Sequence, residues 1–423
     1  MGELMKIKDI FTPGRFPVWT YVDDHLKTKE QQLHDALDDG SMLVSISGPS
    51  KSGKTVFVEH ILGKDNLVQV TGSGVRSPAD LWIRVFDIIG TPISRNTSSG
   101  NTVTGTIGAK GTVQGNIFVA KGTGEVSGSG SYASQNSESQ VEAIDYLQLL
   151  IRELSGTNFV VFIDDFHYIH REIQTELAQQ IKEAIRQGVK FICASVPYHS
   201  DDVIRSNPDL RGRIFSIDFD YWGNDVLEKI AYKGFAKANI AYRKEMIKKL
   251  VDEAAGSPQL MQYLCLNTCY EINVRSAPEE PVDLLFDQQL FDNICKRTVL
   301  STDYSSVVDK MIEGPKTRGS DRKVHISVYG WQGDVYKFLV KALSLSPPQL
   351  NFRYQPLVDR IASICESEPP SGSSITSACY QAASIANDTA GDSIVEWDNV
   401  SDVFDIRDPY LLFYLRWSDV IDG

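Results

Sequence analysis

The residues with the clearest chemistry lie at 42–55, MLVSISGPSKSGKT. Gly48, Pro49, Ser50, Lys51, Ser52, Gly53, Lys54 and Thr55 match the spacing GxxxxGK[ST] without a departure. Glycines in such a loop let backbone N–H groups turn inward as an anion nest, and a helix starting at once adds the partial positive charge of its N-terminus. Residues 48–56, Val56 included, are therefore the expected phosphate cradle. Lys54 would reach the β- and γ-phosphates of a nucleotide, and the Thr55 hydroxyl would ligate Mg2+. The alternative is a chance glycine-rich turn, against which Lys54-Thr55 and both flanks speak. A cradle of this kind also needs a carboxylate from a neighbouring strand. FVVFIDD at 159–165 supplies two. Asp164 would hold Mg2+, directly or through water, and Asp165 stands where a general base or water-positioning acid is needed. The competing account is a helix cap after an ordinary strand.

Three further candidates surround these. His167 follows on the loop and reads as structural. Ser195 ends KFICAS and is either a polar sensor beside the γ-phosphate or a buried hydroxyl. Arg205, Arg211 and Arg213 then follow within nine residues. A guanidinium delivered in trans from here would stabilise charge on a transferring phosphoryl group, and Arg211 is the favoured donor. Surface solvation is the alternative.

Elements must position these groups. Residues 42–46 read as a buried strand, and VFVEHIL as the helix after the loop. LVQV at 67–70 is a second strand, followed by Ser77-Pro78, an N-cap with Pro at the first helical position, and LWIRVFDIIG with helical spacing. EIQTELAQQIKEAIRQ at 172–187 is amphipathic and Gly188 ends it. KFICAS (190–195) and RIFSIDF (213–219) complete the strand set. Strands alternating with helices predict an α/β fold with a parallel sheet.

Together the P-loop, the FVVFIDD strand and a later Gly256-Ser257-Pro258 resemble the AAA+ superfamily, and more narrowly its STAND and origin-recognition-like branches. The resemblance covers nearly the whole chain. It implies a P-loop ATPase core (1–220), a helical lid with a GxP motif (221–310) and a C-terminal winged-helix domain (324–423). It also implies that Pro258 senses nucleotide state and couples it to domain movement. The lid would be VLEKIAYKGFAKANI and KEMIKKLVDEAAGSPQLMQYLCLNTCYEI. The winged helix would comprise helices at 333–346, 354–365 and 373–386, then a hairpin closed by Asp408-Pro409-Tyr410-Leu411-Leu412. Two departures matter. The arginine of the GR box, Arg15, lies early and Asp23-Asp24 stand nearer the helix, so the sequence departs from the pattern where the resemblance would place adenine contacts, at Tyr21 and Val22. CASVPY lacks the arginine that STAND members often carry after the fourth strand, so either an arginine from 205–213 serves instead or hydrolysis is slow.

Residues 97–137 differ in composition, with nine glycines between 100 and 130. Their small/apolar alternation predicts a β-rich insert, an assembly or partner element that would pair edge-to-edge with copies of itself. A passive excursion is the alternative. Charge sharpens the picture. The chain of 423 residues has 42 Lys and Arg against 55 Asp and Glu, a net −13, which disfavours broad polyanion binding. From 324 onward six Lys and Arg face thirteen Asp and Glu, a net −7, and the expected recognition helix SSITSACYQAASIA has no basic residue. A groove-reading helix relies on Arg, Lys, Asn or Gln, so this domain reads as a protein or intramolecular clamp. The basic cluster Lys316 to Lys323 is either a solvated linker or a phosphate contact.

No apolar run approaches the ~18 residues of a membrane span, and the first residues lack a signal-peptide core. Six cysteines form no CxxC pair, and seven histidines form no zinc pattern. A cytoplasmic, thiol-reduced setting follows. The expected activity is that of an ATP-binding, slowly hydrolysing, Mg2+-dependent switch that couples nucleotide state to a homo-oligomer or a protein partner. For bacterial members of these branches the resemblance implies defence or signalling. The rival is a DNA-associated AAA+ ATPase, a loader or transposition-type enzyme, whose hydrolysis duplex DNA would stimulate.

Overall fold

Short apolar strands alternating with amphipathic helices build a parallel sheet. The computed structural model describes residues 4–93, 145–196, 212–316, 322–366 and 368–420. The strands are β1 (Leu43–Ser47), β2 (Leu67–Thr71), β3 (Val160–Asp164), β4 (Lys190–Ser195) and β5 (Ile214–Asp218), in the order β2-β3-β4-β1-β5. All four pairings are parallel, with Val44 opposite Ile192 and Phe215, and Val161 opposite Val68 and Phe191. Both faces are apolar because both are covered. Along β3, Val161 and Ile163 enter one core, and Val160 and Phe162 the other. The predicted α/β class with a parallel sheet is what the chain adopts. The glycine-rich segment 97–137, Arg205 and Arg211 lie outside the described residues.

Among the described residues, six helices accompany the sheet and the chain leading to it: α1 (Ile7–Ile10), α2 (Lys27–Asp39), α3 (Lys54–Leu62), α4 (Pro78–Ile89), α5 (Tyr146–Leu154) and α6 (Arg171–Arg186). α2 and α3 cover one face, and α4, α5 and α6 the other. α4 starts as its sequence demands: the Ser77 side chain accepts from the Asp80 N–H, and Pro78 occupies the first turn.

A helical layer follows: α7 (Asn224–Lys237), α8 (Lys244–Ala254), α9 (Pro258–Glu271), α10 (Gln288–Val299) and α11 (Ser305–Glu313). The first residues of the chain join this layer rather than the sheet. Ile7, Ile10 and Phe11 are fully buried in its core, and the Phe11 ring sits against Gly234 of α7, where any Cβ would collide with it. The C-terminal part comprises α12 (Val335–Ser344), α13 (Tyr354–Ser363), α14 (Gly372–Ala390) and α15 (Pro409–Trp417). Two short strand pairs, β6 (Ile240–Tyr242) with β7 (Val282–Leu284) and β8 (His325–Ile326) with β9 (Gln332–Gly333), lie within and after the helical layer, and in the C-terminal part β10 (Asn351–Arg353), β11 (Val395–Asp398) and β12 (Val403–Ile406) pair antiparallel in the order β10-β12-β11. α11 packs on α12 and α14, so the helical layer runs into the C-terminal part through one shared core. No helix among the described residues is long and apolar enough to cross a membrane.

Candidate functional site

The carboxyl ends of β1, β3 and β4 bring the predicted residues to one cavity of about 380 Å3. The loop after β1 begins at Gly48 (φ 156°), where a Cβ would collide with Phe219 at the end of β5. Only glycine fits there. Lys51 and Gly53 hold left-handed φ of 62° and 94°, turning the chain into α3. Ser50, Lys51, Gly53, Lys54, Thr55 and Val56 line the cavity. Ser52 is buried beneath it, and Pro49 faces a neighbouring hollow towards the C-terminal part.

Lys54 Nζ donates to the carbonyl oxygens of Gly48 (2.7 Å) and Pro49 (2.8 Å), so the lysine closes the loop on itself. Burial pulls its pKa down to about 8, and the nearby Asp164 and Asp165 partly oppose that fall. The Thr55 hydroxyl donates to Asp164 Oδ2 at 2.7 Å. Burial raises the Asp164 carboxyl above its ordinary value, against the pull of that hydrogen bond. These are the oxygens a hard divalent cation takes, and they already meet across the sheet. Asp165 adopts a left-handed φ of 54°, and its carboxyl lines the same cavity; burial again raises its pKa. Ser195 ends β4 opposite Ser47 and also lines it. His167 does too, its ring tilted against that of Tyr168 with centroids 4.3 Å apart. Arg213 stands exposed beside β5, its carbonyl accepting from the Leu43 N–H.

A second wall comes from the N-terminal loop and the helical layer. Gln262 on α9 accepts from the Thr12 N–H (3.3 Å) and donates to Thr20 Oγ1 (2.6 Å); Gln259 donates to the Pro13 carbonyl (2.8 Å). Phe16, Tyr21 and Val22 line the resulting slot, with Tyr21 against His60 at 4.2 Å between ring centroids. Pro258 occupies the first turn of α9, capped by Ser257, and faces Gly53. Gly256 (φ 82°) permits the close approach of Tyr221.

Sequence reasoning missed several groups. Trp222 Nε1 donates to the Ser52 carbonyl at 2.9 Å, tying the loop to the start of the helical layer. Asp392 and Tyr168 line the cavity, the hydroxyl donating to the Asp392 carboxylate at 3.3 Å. Asp408 pairs with Lys51 of the loop at 2.9 Å. Asp408-Pro409-Tyr410 carries a cap signal visible in the sequence, but no local pattern relates it to a loop 357 residues earlier. The basic cluster is partly absorbed by its own surroundings: Arg322 bonds Asp334 at 2.5 Å, and Lys323 bonds Glu368 at 3.0 Å. Among the described residues no His, Cys, Asp and Glu group has a metal-binding arrangement of three or more.

No protein-family model and no curated protein matches the chain. Solved structures do. The ORC2 protein of Aeropyrum pernix, solved as ADPNP–ADP complexes, is similar over 99% of this chain and 98% of its own, with a TM-score of 0.50 and 11% identity. The Walker-type ATPase PABY2304 of Pyrococcus abyssi is similar over 95% of this chain and 97% of its own, with a TM-score of 0.50 and 13% identity. At such identities the likeness is one of fold.

Proposed function

We propose that the chain is an ATP-binding, slowly hydrolysing switch whose nucleotide lies between sheet, N-terminal loop and lid. One observation carries this: Lys54, Thr55, Asp164 and Asp165 converge on a single cavity, with Thr55 and Asp164 already 2.7 Å apart. Thr55 and Asp164 would hold Mg2+, which when bound would neutralise charge on the phosphates. Lys54 would exchange two neutral carbonyl acceptors for phosphate oxygens, a stronger charge-assisted bond. Asp165 would orient the attacking water. Tyr21, Val22 and Pro258 would border the base and ribose, so that the lid feels what the cavity holds. The division into core (1–220), lid (221–310) and winged helix (324–423), an Arg211 acting in trans, a homo-oligomer and a protein partner belong to this proposal. The likeness to a protein solved as ADPNP–ADP complexes supports nucleotide binding.

Calorimetric titration with MgATP tests it. Wild type binds, and Lys54→Ala weakens binding at least tenfold and abolishes turnover. Equal affinity in the two proteins would overturn the nucleotide site.

A further inference from the structure

One buried carboxylate joins the C-terminal part to the phosphate cradle. Asp408 stands at the start of α15. Its Oδ1 accepts from the Tyr410 N–H at 2.9 Å, capping the helix, and its Oδ2 accepts from the Tyr304 hydroxyl. Lys51 Nζ donates to both oxygens, at 2.9 and 3.3 Å, and lies 4.1 Å from the centroid of the Tyr410 ring. Tyr410 in turn donates to Gln259 of α9, the residue that holds Pro13, and the Tyr221 hydroxyl donates to the Arg407 carbonyl at 2.8 Å. The same part of the chain brings Asp392 to the cavity wall. Docking of α15 thus sets two carboxylates, Asp392 and Asp408, beside a loop whose chemistry is anion binding. Arg407 is directed to Glu396 and Ser393.

We propose that the Lys51–Asp408 pair is a latch that opposes phosphate binding: the docked C-terminal part and a nucleoside triphosphate compete for Lys51. The inference rests on the nucleotide site proposed above. Exposure and partners make the pair releasable. The Lys51 side chain is 30% exposed and that of Asp408 only 8%. Lys51 can therefore swing away, whereas Asp408 stays buried with two donors, the Tyr304 hydroxyl and its own helix N-terminus. Release leaves the Asp408 carboxylate without its cation and held only by those two neutral donors, a cost that the several negative charges of a triphosphate drawing on Lys51 have to exceed. Coupling is reciprocal: if docking weakens triphosphate binding, triphosphate weakens docking by the same factor.

Asp408→Asn tests the latch, because Asn still caps α15 and still accepts from Tyr304 but loses the charge that holds Lys51. MgATP affinity, measured by titration, should rise on the order of tenfold in this variant, a usual size for such coupling. The rise should vanish when Lys51→Met is present in both proteins compared. An unchanged or weakened affinity in Asp408→Asn, or a gain that survives Lys51→Met, overturns the latch. Hydrogen exchange on the unaltered full chain supplies a variant-free check: MgATP should speed exchange across 408–417, and unchanged or slowed exchange counts against the proposal. Lys54→Ala run in parallel separates the two failures. If it binds MgATP as wild type does, the nucleotide site falls and the latch with it. If it binds weakly while Asp408→Asn behaves as wild type, only the latch falls.

Discussion

Asp164 and Asp165 are neighbours in sequence and differ in what surrounds them. Asp164 is the last residue of β3, its main chain still in the sheet, and one oxygen is engaged by Thr55 while the other accepts the Asp165 N–H at 3.0 Å. Asp165 has turned into a left-handed conformation (φ 54°), which frees its carboxyl from the strand direction. Burial, with Asp392 adding to it, lifts its pKa, and Lys54 opposes the shift. Burial raises both carboxyls, so engagement is what separates them: Asp164 is already held by Thr55, whereas Asp165 faces the cavity, the placement a water-positioning base needs. Asp165→Asn should therefore lower single-turnover ATP hydrolysis by roughly 10²–10⁴-fold, the usual contribution of a positioned base. MgATP affinity should stay within about threefold. A comparable loss of affinity and rate would show that Asp165 serves binding instead.

The elements were legible where a local pattern encodes them. β4 runs over Lys190–Ser195 as KFICAS predicts, and α4 opens at Pro78 behind its Ser77 cap. What was not legible is how elements far apart in sequence meet. Nothing in the first strand's composition says that β1 lies between β4 and β5, and nothing near Phe11 says that Gly234 leaves room for its ring. The docking of α15 is the strongest case, since its cap residue reaches the cradle and its far end reaches the helical layer. There Arg416 grips Glu253 of α8 through two bonds, of 2.9 and 2.7 Å, with the side chains only 7% and 6% exposed; Trp417 Nε1 donates to the same carboxylate at 2.8 Å. Removing one partner of a buried pair leaves the other charge without compensation, at a cost of about 3–5 kcal/mol. Glu253→Ala should lose stability of that order in urea denaturation. Replacing both partners, Glu253→Leu with Arg416→Met, should recover much of it. A loss below ~1 kcal/mol in the single variant would show that the pair does not anchor α15.

For the molecule as a whole, the distribution of charge bears on its partners more than the fold does. The winged helix proposed for the C-terminal part would invite a DNA role, yet this part is the acidic end of the chain. Its longest helix, α14, exposes Ser373, Ser374, Thr376, Ser377, Tyr380 and Asp388 and has no Lys or Arg along its length. Duplex affinity needs cations to displace the counterions of the phosphates, and non-specific binders reach a Kd of roughly 10⁻⁴–10⁻⁶ M at physiological salt by that route. The latch makes the deficit worse, because docking adds Asp392 and Asp408 to the face nearest the cradle rather than exposing basic side chains. Fluorescence anisotropy with a labelled duplex at ~150 mM salt should therefore give a Kd weaker than about 10⁻⁴ M, with or without MgATP. Hydrolysis should be indifferent to added duplex. Binding in the micromolar range that fell steeply with salt, together with a stimulated rate, would instead make the chain a DNA-associated ATPase. It would then place the required cations outside the C-terminal part.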